Sequence, residues 1–254
     1  MKSEDELKEI AEFVGEYATC LLGSGVHTSR VMRNTARIGE ALGVTTRIST
    51  SQKSVVLTIS DSKRNVHTKV LTIPALPISF EYNSELSALS WEARDSHLSI
   101  DQLKERYYDI LSRPKMRYYW ILLLVGLANA SFCRLFGGDW GAMGIVFVAT
   151  VVGFFVRLIL QKNHVNHFFI VTTSAFVSSM IASVSLLFDV TADIAIATSV
   201  LYLIPGVPII NGVIDIVEGH TLSGLSRLIQ AVLLVICLAI GLSISLLLFK
   251  NSLL

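Results

Sequence analysis

The sequence predicts a membrane α-helical bundle of five transmembrane helices preceded by an N-terminal cytoplasmic α+β domain. Three observations predict it. Of 254 residues, 52% are hydrophobic and only 16% charged, a balance too apolar for an ordinary soluble domain. Charge is also unevenly spread: residues 1–117 carry 16 of the 21 Lys and Arg and 15 of the 20 Asp and Glu, leaving ten charges for the remaining 137 residues. Beyond residue 117 the chain holds five apolar segments, each close to the length of about 20 residues that a helix needs to cross roughly 30 Å of hydrocarbon.

The first region, residues 1–116, reads as the α+β domain. Leu7, Ile10, Phe13, Val14, Tyr17, Ala18 and Leu21 recur at helical spacing over 4–22, until Gly23-Ser24-Gly25 breaks the pattern. A second helix spans 28–42, with Val31, Ala36, Ile38 and Leu42 apolar and Arg30, Arg33 and Arg37 polar. His27 or Thr28 is placed to cap it. Segments 45–50, 54–60 and 67–73 are rich in Val, Ile and Thr and separated by turn-like stretches such as Ser60-Asp61-Ser62-Lys63. They read as a three-stranded meander. Helices over 81–94 and 99–112 complete the domain, and Arg113-Pro114-Lys115-Met116-Arg117 forms its boundary.

The second region, residues 117–254, reads as spans over about 118–136, 140–160, 168–188, 194–214 and 226–249. Arg113, Lys115 and Arg117 precede the first span, Arg157 and Lys162 lie near the junction of the second and third, and Arg227 lies between the fourth and fifth. The opposite side holds Arg134 beside Asp139, then Asp189, Asp193 and Lys250. The excess of basic residues places the first set in the cytoplasm, so five spans carry the C-terminus to the other side. Met1 to Glu16, rich in Glu and Lys, lacks the apolar run of a secretory signal, so the N-terminus is expected in the cytoplasm.

Composition excludes several functions. A net charge of +1 with interleaved signs argues against nucleic-acid binding. Cys20, Cys133 and Cys237 are too scattered for a metal site or a disulfide framework. Gly23-Ser24-Gly25-Val26-His27-Thr28 lacks the Lys of a phosphate-binding loop and reads as an inter-helix turn. No catalytic constellation and no cofactor motif emerges, so the chain is not expected to be an enzyme.

Chemistry is expected around the fourth span, where Ile204-Pro205-Gly206-Val207-Pro208 falls near the middle. Proline removes a backbone donor and clashes with the preceding turn, so the helix should break there. Bare backbone at that depth survives only against protein or a wet cavity. A broken helix can offer the positive end of its second half to an anionic solute; a kink used only for packing is the alternative. Asn211 and Asp215 then share a helix face, which makes Asp215 a candidate for proton coupling or gating, whereas Glu218 and His220 read as interfacial. Gly212, Gly219 and Gly224 suit close helix packing and a tight turn. Arg134 is a candidate to meet an anionic solute or to pair with Asp139, and Arg157 reads as snorkelling to the basic side. The hydroxyl-rich third span, from Thr172 to Ser185, reads as close helix packing.

The stretch Pro205-Gly206-Val207-Pro208-Ile209-Ile210-Asn211-Gly212-Val213-Ile214-Asp215-Ile216-Val217-Glu218-Gly219-His220, continued by Ser223-Gly224-Leu225-Ser226-Arg227, resembles the threonine/serine exporter family in its most specific segment. Leu21 to Val31 is similar to the family's opening helix-turn-helix. The resemblance implies a cytoplasmic domain followed by five spans, and a protein that occurs either as one long chain or as a larger chain with a small, purely membrane-embedded partner subunit. It implies export of succinate for the split bacterial pair, and of threonine or serine for the fused forms. The expected function is therefore that of a subunit of an inner-membrane secondary transporter exporting a small carboxylate, with Pro205, Gly206, Pro208, Asn211, Asp215 and Arg134 as substrate-binding or gating residues. Serine or threonine export is the alternative within transport. A membrane-anchored enzyme or sensor with a ligand-binding cytoplasmic domain is the alternative from another class.

Overall fold

A computed structural model describes residues 2–51, 53–63, 65–114 and 116–249; Lys115 of the boundary and Lys250 of the charge argument lie outside the described residues. The helices are α1 (Glu4–Gly23), α2 (Thr28–Ala41), α3 (Phe80–Asp95), α4 (Ile100–Ser112), α5 (Tyr118–Leu135), α6 (Trp140–Lys162), α7 (His167–Ala182), α8 (Ala192–Thr198), α9 (Gly206–Val217) and α10 (Thr221–Leu248). The strands are β1 (Thr45–Thr50), β2 (Ser54–Ser60) and β3 (Val66–Thr72). Two compact units result: Met1–Pro114 with Val207–Ile229, and Lys115–Gly206 with Gln230–Leu254.

In the first unit every element expected before residue 113 is present, with ends displaced by a single residue at most. Ser3 and Glu6 close a capping box at the start of α1, and Ser99 and Gln102 do the same for α4, satisfying amides that the helices leave open. The strands form the antiparallel meander β1-β2-β3. On β2 the period of two is explicit: Val55, Leu57 and Ile59 are wholly buried while Val56 is exposed. Burying those three stabilises the unit by about 1.5–3 kcal/mol each. They meet the inner face of α1, where Phe13, Val14, Tyr17 and Leu21 are buried, in a core drawn entirely from residues between Leu7 and Ile110. Tyr17 donates its buried hydroxyl to the Leu86 carbonyl at 2.6 Å, so the large ring costs no unsatisfied polar group.

The second unit is apolar outside as well as inside. Leu124, Leu127, Phe155 and Ile159 are exposed, as a lipid-facing surface requires. Among the described residues four helices are long and apolar enough to cross a membrane, Tyr118–Leu135, Trp140–Lys162, His167–Leu187 and Thr221–Leu248, and there are five if the interrupted pair Ala192–Leu203 and Gly206–Val217 counts as one span. The fourth span is broken, as its prolines predict, into two helical pieces. α8 ends at Thr198, a 3₁₀ turn covers Leu201–Leu203, and α9 begins only at Gly206, after the break at Pro205. The last helix starts at Thr221, about a turn earlier than its hydropathy indicates, because its first turns are held by polar contacts.

Close approach accounts for the glycines of the α9–α10 hairpin and for the small hydroxyl residues of α7. A Cβ on Gly224 would lie 2.5 Å from the Gly212 carbonyl oxygen, so α9 and α10 pack backbone to backbone. In the second unit Ser174, Ser178 and Ser179 are buried on α7, and the neighbouring Thr172 carbonyl and Phe176 amide lie against Gly241 of α10.

Candidate functional site

The site grows from a helix that lacks its own cap. α2 begins after His27, whose side chain makes no capping bond, so its first amides need an external acceptor. Asp215 of α9 supplies it from 187 positions away: Thr28 donates its amide to Oδ1 at 2.8 Å and its hydroxyl to Oδ2 at 3.0 Å. Arg227 of α10 completes the arrangement, with Nε 3.1 Å from Oδ2. Asp215 is wholly buried. A helix N-terminus and a guanidinium on one buried carboxylate are mutually compensating charges, which makes the triad strong only while it is intact.

Two carbonyls of the α1–α2 turn accept from the same hairpin: Asn211 Nδ2 donates to Gly25 O at 2.7 Å and Arg227 Nη2 to Val26 O at 3.2 Å. Thr50 on β1 and Ser223 on α10 share a hydroxyl contact at 3.1 Å. At the margin, Glu218 lies 3.2 Å from His27 Nδ1 and 3.6 Å from Arg33 Nη1. A hydrogen bond from Ser29, together with His27 and Arg33, holds the Glu218 carboxyl below the ordinary carboxylate range. Burial pushes the His27 imidazole below its ordinary value, against the opposing pull of Glu218.

Beside this lattice is a cavity of about 170 Å³, lined among others by His27, Arg30, Asn83, Ser84, Val207 and Asn211. Arg30 is held by donating Nε to Ser87 Oγ at 3.1 Å. The cavity therefore combines a cation, two amide side chains and a hydroxyl in a volume suited to a small carboxylate.

Of the residues expected from sequence, Asn211 and Asp215 come together here. Gly206 opens α9, Pro208 sits half-buried in its first turn, and Pro205 is buried in the break. Arg134 belongs to the other unit: exposed, it donates Nη1 to Gly138 O at 3.0 Å and lies near the Trp140 ring. Its pairing with Asp139 does not form, because Asp139 instead accepts from the amides of Ala142 at 2.8 Å and Thr191 at 2.6 Å. Sequence reasoning missed Thr28, Arg30 and Arg227. Only Arg227 carried a usable signal, a lone cation near a span that holds a lone buried acid.

The family model described as "Putative threonine/serine exporter" matches residues 12–249, which includes the whole stretch from Pro205 to Arg227. The chain belongs to the threonine/serine exporter family. It is 30% identical to the "Probable succinate transporter subunit YjjP" of Klebsiella aerogenes over 94% of this chain and 93% of that one. It is 31% identical to the Escherichia coli K12 protein of the same name over 87% of each chain. With the "Probable threonine/serine exporter" of Mycobacterium tuberculosis it shares 23% identity over 94% of this chain and 46% of that protein. No solved structure matches. As a member of the exporter family, with several helices able to cross a membrane, the chain is a multi-pass membrane transporter, and its relatives are named as transporters or exporters rather than enzymes.

Proposed function

We propose that this exporter-family chain is the larger subunit of a bacterial inner-membrane secondary transporter that exports a small carboxylate, succinate, together with a small membrane-embedded partner subunit of the YjjB type. The observation that carries the reading is the near end-to-end match to two proteins named as succinate transporter subunits. The distribution of Lys and Arg supports a cytoplasmic N-terminus and, with the interrupted pair counted as the fifth span, a periplasmic C-terminus. Residues 1–116 then form the cytoplasmic α+β domain and 117–254 the five-span membrane domain.

In this reading Pro205, Gly206 and Pro208 create the break from which α9 starts. The positive end of α9, with Asn211 and the neighbouring Arg30, favours a carboxylate. Asp215 acts as the gate: while it holds Thr28 and Arg227, α9 is locked against the α1–α2 turn. Arg134 is the candidate anion contact of the other unit. Serine or threonine export is the second reading, favoured by the name of the Mycobacterium tuberculosis relative.

Counterflow of labelled succinate, serine and threonine, in liposomes containing the chain and its partner, tests the proposal. Succinate is expected to exchange. Exchange of serine and threonine alone selects the second reading, and exchange of none rejects both. Pro205→Ala, which permits α9 to extend backwards, is expected to abolish exchange while membrane abundance stays at the parental level.

A further inference from the structure

The second unit contains a cation in an apolar helix with no acid beside it. Arg157 lies on α6, and among the described residues no Asp or Glu is within ion-pairing distance of it. Its electrostatic neighbours are the Tyr202 phenol and His167, neither of them an anion at neutral pH. The side chain does not extend towards the near end of α6, the direction in which the sequence reading has it snorkel. α6 ends five residues further on, at Lys162, yet the guanidinium lies 5.7 Å from the centre of the Phe154 ring, three residues back. A long side chain on a helix leans towards the N-terminus, and here that direction leads away from the near end of the helix.

The head group thereby joins a polar line. Phe154 packs edge to face on Tyr202 at 5.9 Å, and Tyr202 Oη shares a hydrogen bond with Ser178 Oγ at 2.9 Å. That hydroxyl pair is seated on α6 at Gly153, one turn before Arg157 on the same face, where any Cβ would overlap both oxygens. One further turn back, Thr150 accepts from Asn129 Nδ2 at 2.6 Å, and Asn129 Oδ1 and Ser174 Oγ are buried without a hydrogen-bond partner among the described residues. A half-buried guanidinium without a counter-ion in an apolar helix is costly, and with two hydroxyl donors a turn away it specifies an anionic, hydrogen-bonding ligand.

We propose that Arg157, with the hydroxyls of Tyr202 and Ser178, receives the carboxylate of the transported solute. The contact rests on the carboxylate-export reading and is common to succinate, serine and threonine, since each carries that group. Tyr202 stands on the 3₁₀ turn just before the Pro205 break, so a rearrangement at the break moves a ligand contact.

Half-saturation for counterflow of the three labelled solutes, measured with the full chain and its partner in liposomes, tests the assignment, together with competition by the amide analogue of whichever solute is moved. Arg157→Gln is expected to raise half-saturation about tenfold or more and to erase the preference for the carboxylate over its amide, while Arg157→Lys keeps part of both. Tyr202→Phe is expected to raise half-saturation about threefold to tenfold, the value of one hydrogen bond. Wild-type liposomes that move none of the three overturn the export reading and this contact with it. Normal wild-type exchange, with unchanged half-saturation and unchanged discrimination in Arg157→Gln, overturns the contact alone. If Arg157→Gln fails to accumulate, Tyr202→Phe decides, and unchanged half-saturation there overturns the assignment.

Discussion

Asp215 is wholly buried against the half-buried Arg227, and the energetics of such a pair are asymmetric. Removing one partner leaves an uncompensated charge, whereas replacing both with apolar groups is close to neutral. Asp215→Ala should therefore lower the stability of the first unit by about 3–5 kcal/mol, and adding Arg227→Met should recover a large part of it. Thermal denaturation of the two variants in detergent checks this; strictly additive losses would show that the pair is not coupled. His27 gives a pH dependence of definite sign. Its folded-state value is depressed by burial, so the unfolded chain binds the proton first as pH falls below about 6.5, and stability declines from there towards the folded value. Glu218, also depressed, adds a second loss as pH falls below about 4.5 towards its folded value. His27→Gln should remove the upper step and leave the lower one, as read from melting temperature against pH.

At the scale of elements, the α9–α10 hairpin depends on a glycine contact as much as on its charges. Gly224→Val puts two methyl groups where the Gly212 carbonyl and the Ile216 amide already lie within 3 Å of a Cβ. The hairpin must splay, at a cost of about 1–3 kcal/mol, and the Asp215 carboxylate should leave Thr28. Faster amide exchange at the start of α2 in Gly224→Val, with exchange in β2 unchanged, is the expected signature. The break before α9 was legible in sequence because proline acts locally on the backbone. The early start of α10 was not: it is held by Thr50 and Asp215, and hydropathy carries no information about partners.

For the whole molecule, the first unit joins residues 1–114 to 207–229, although its hydrophobic core is drawn only from the former. A fragment of residues 1–114 should therefore fold, with the core of β2 protected as in the full chain. Its α2 N-terminus, without Asp215, should exchange faster by about five- to thirtyfold, equivalent to losing roughly 1–2 kcal/mol of capping. Hydrogen exchange on the fragment and on the full chain makes the comparison; equal rates at Thr28 would show that Asp215 does not protect it.

The sequence by itself determined the division between a charged region and an apolar one, the seven elements of the first region, and the interruption at Pro205. Each depends on side-chain periodicity, solvent preference or a backbone constraint acting within a few residues. Tertiary structure alone decided that Asp215 caps α2, that Arg227 neutralises it, that Arg134 turns to Gly138 rather than Asp139, and that Arg157 points back towards Phe154 and Tyr202. A charge in an apolar segment announces that it requires a partner. Which partner it finds depends on contacts between residues far apart in the chain, and those exist only once the helices have packed.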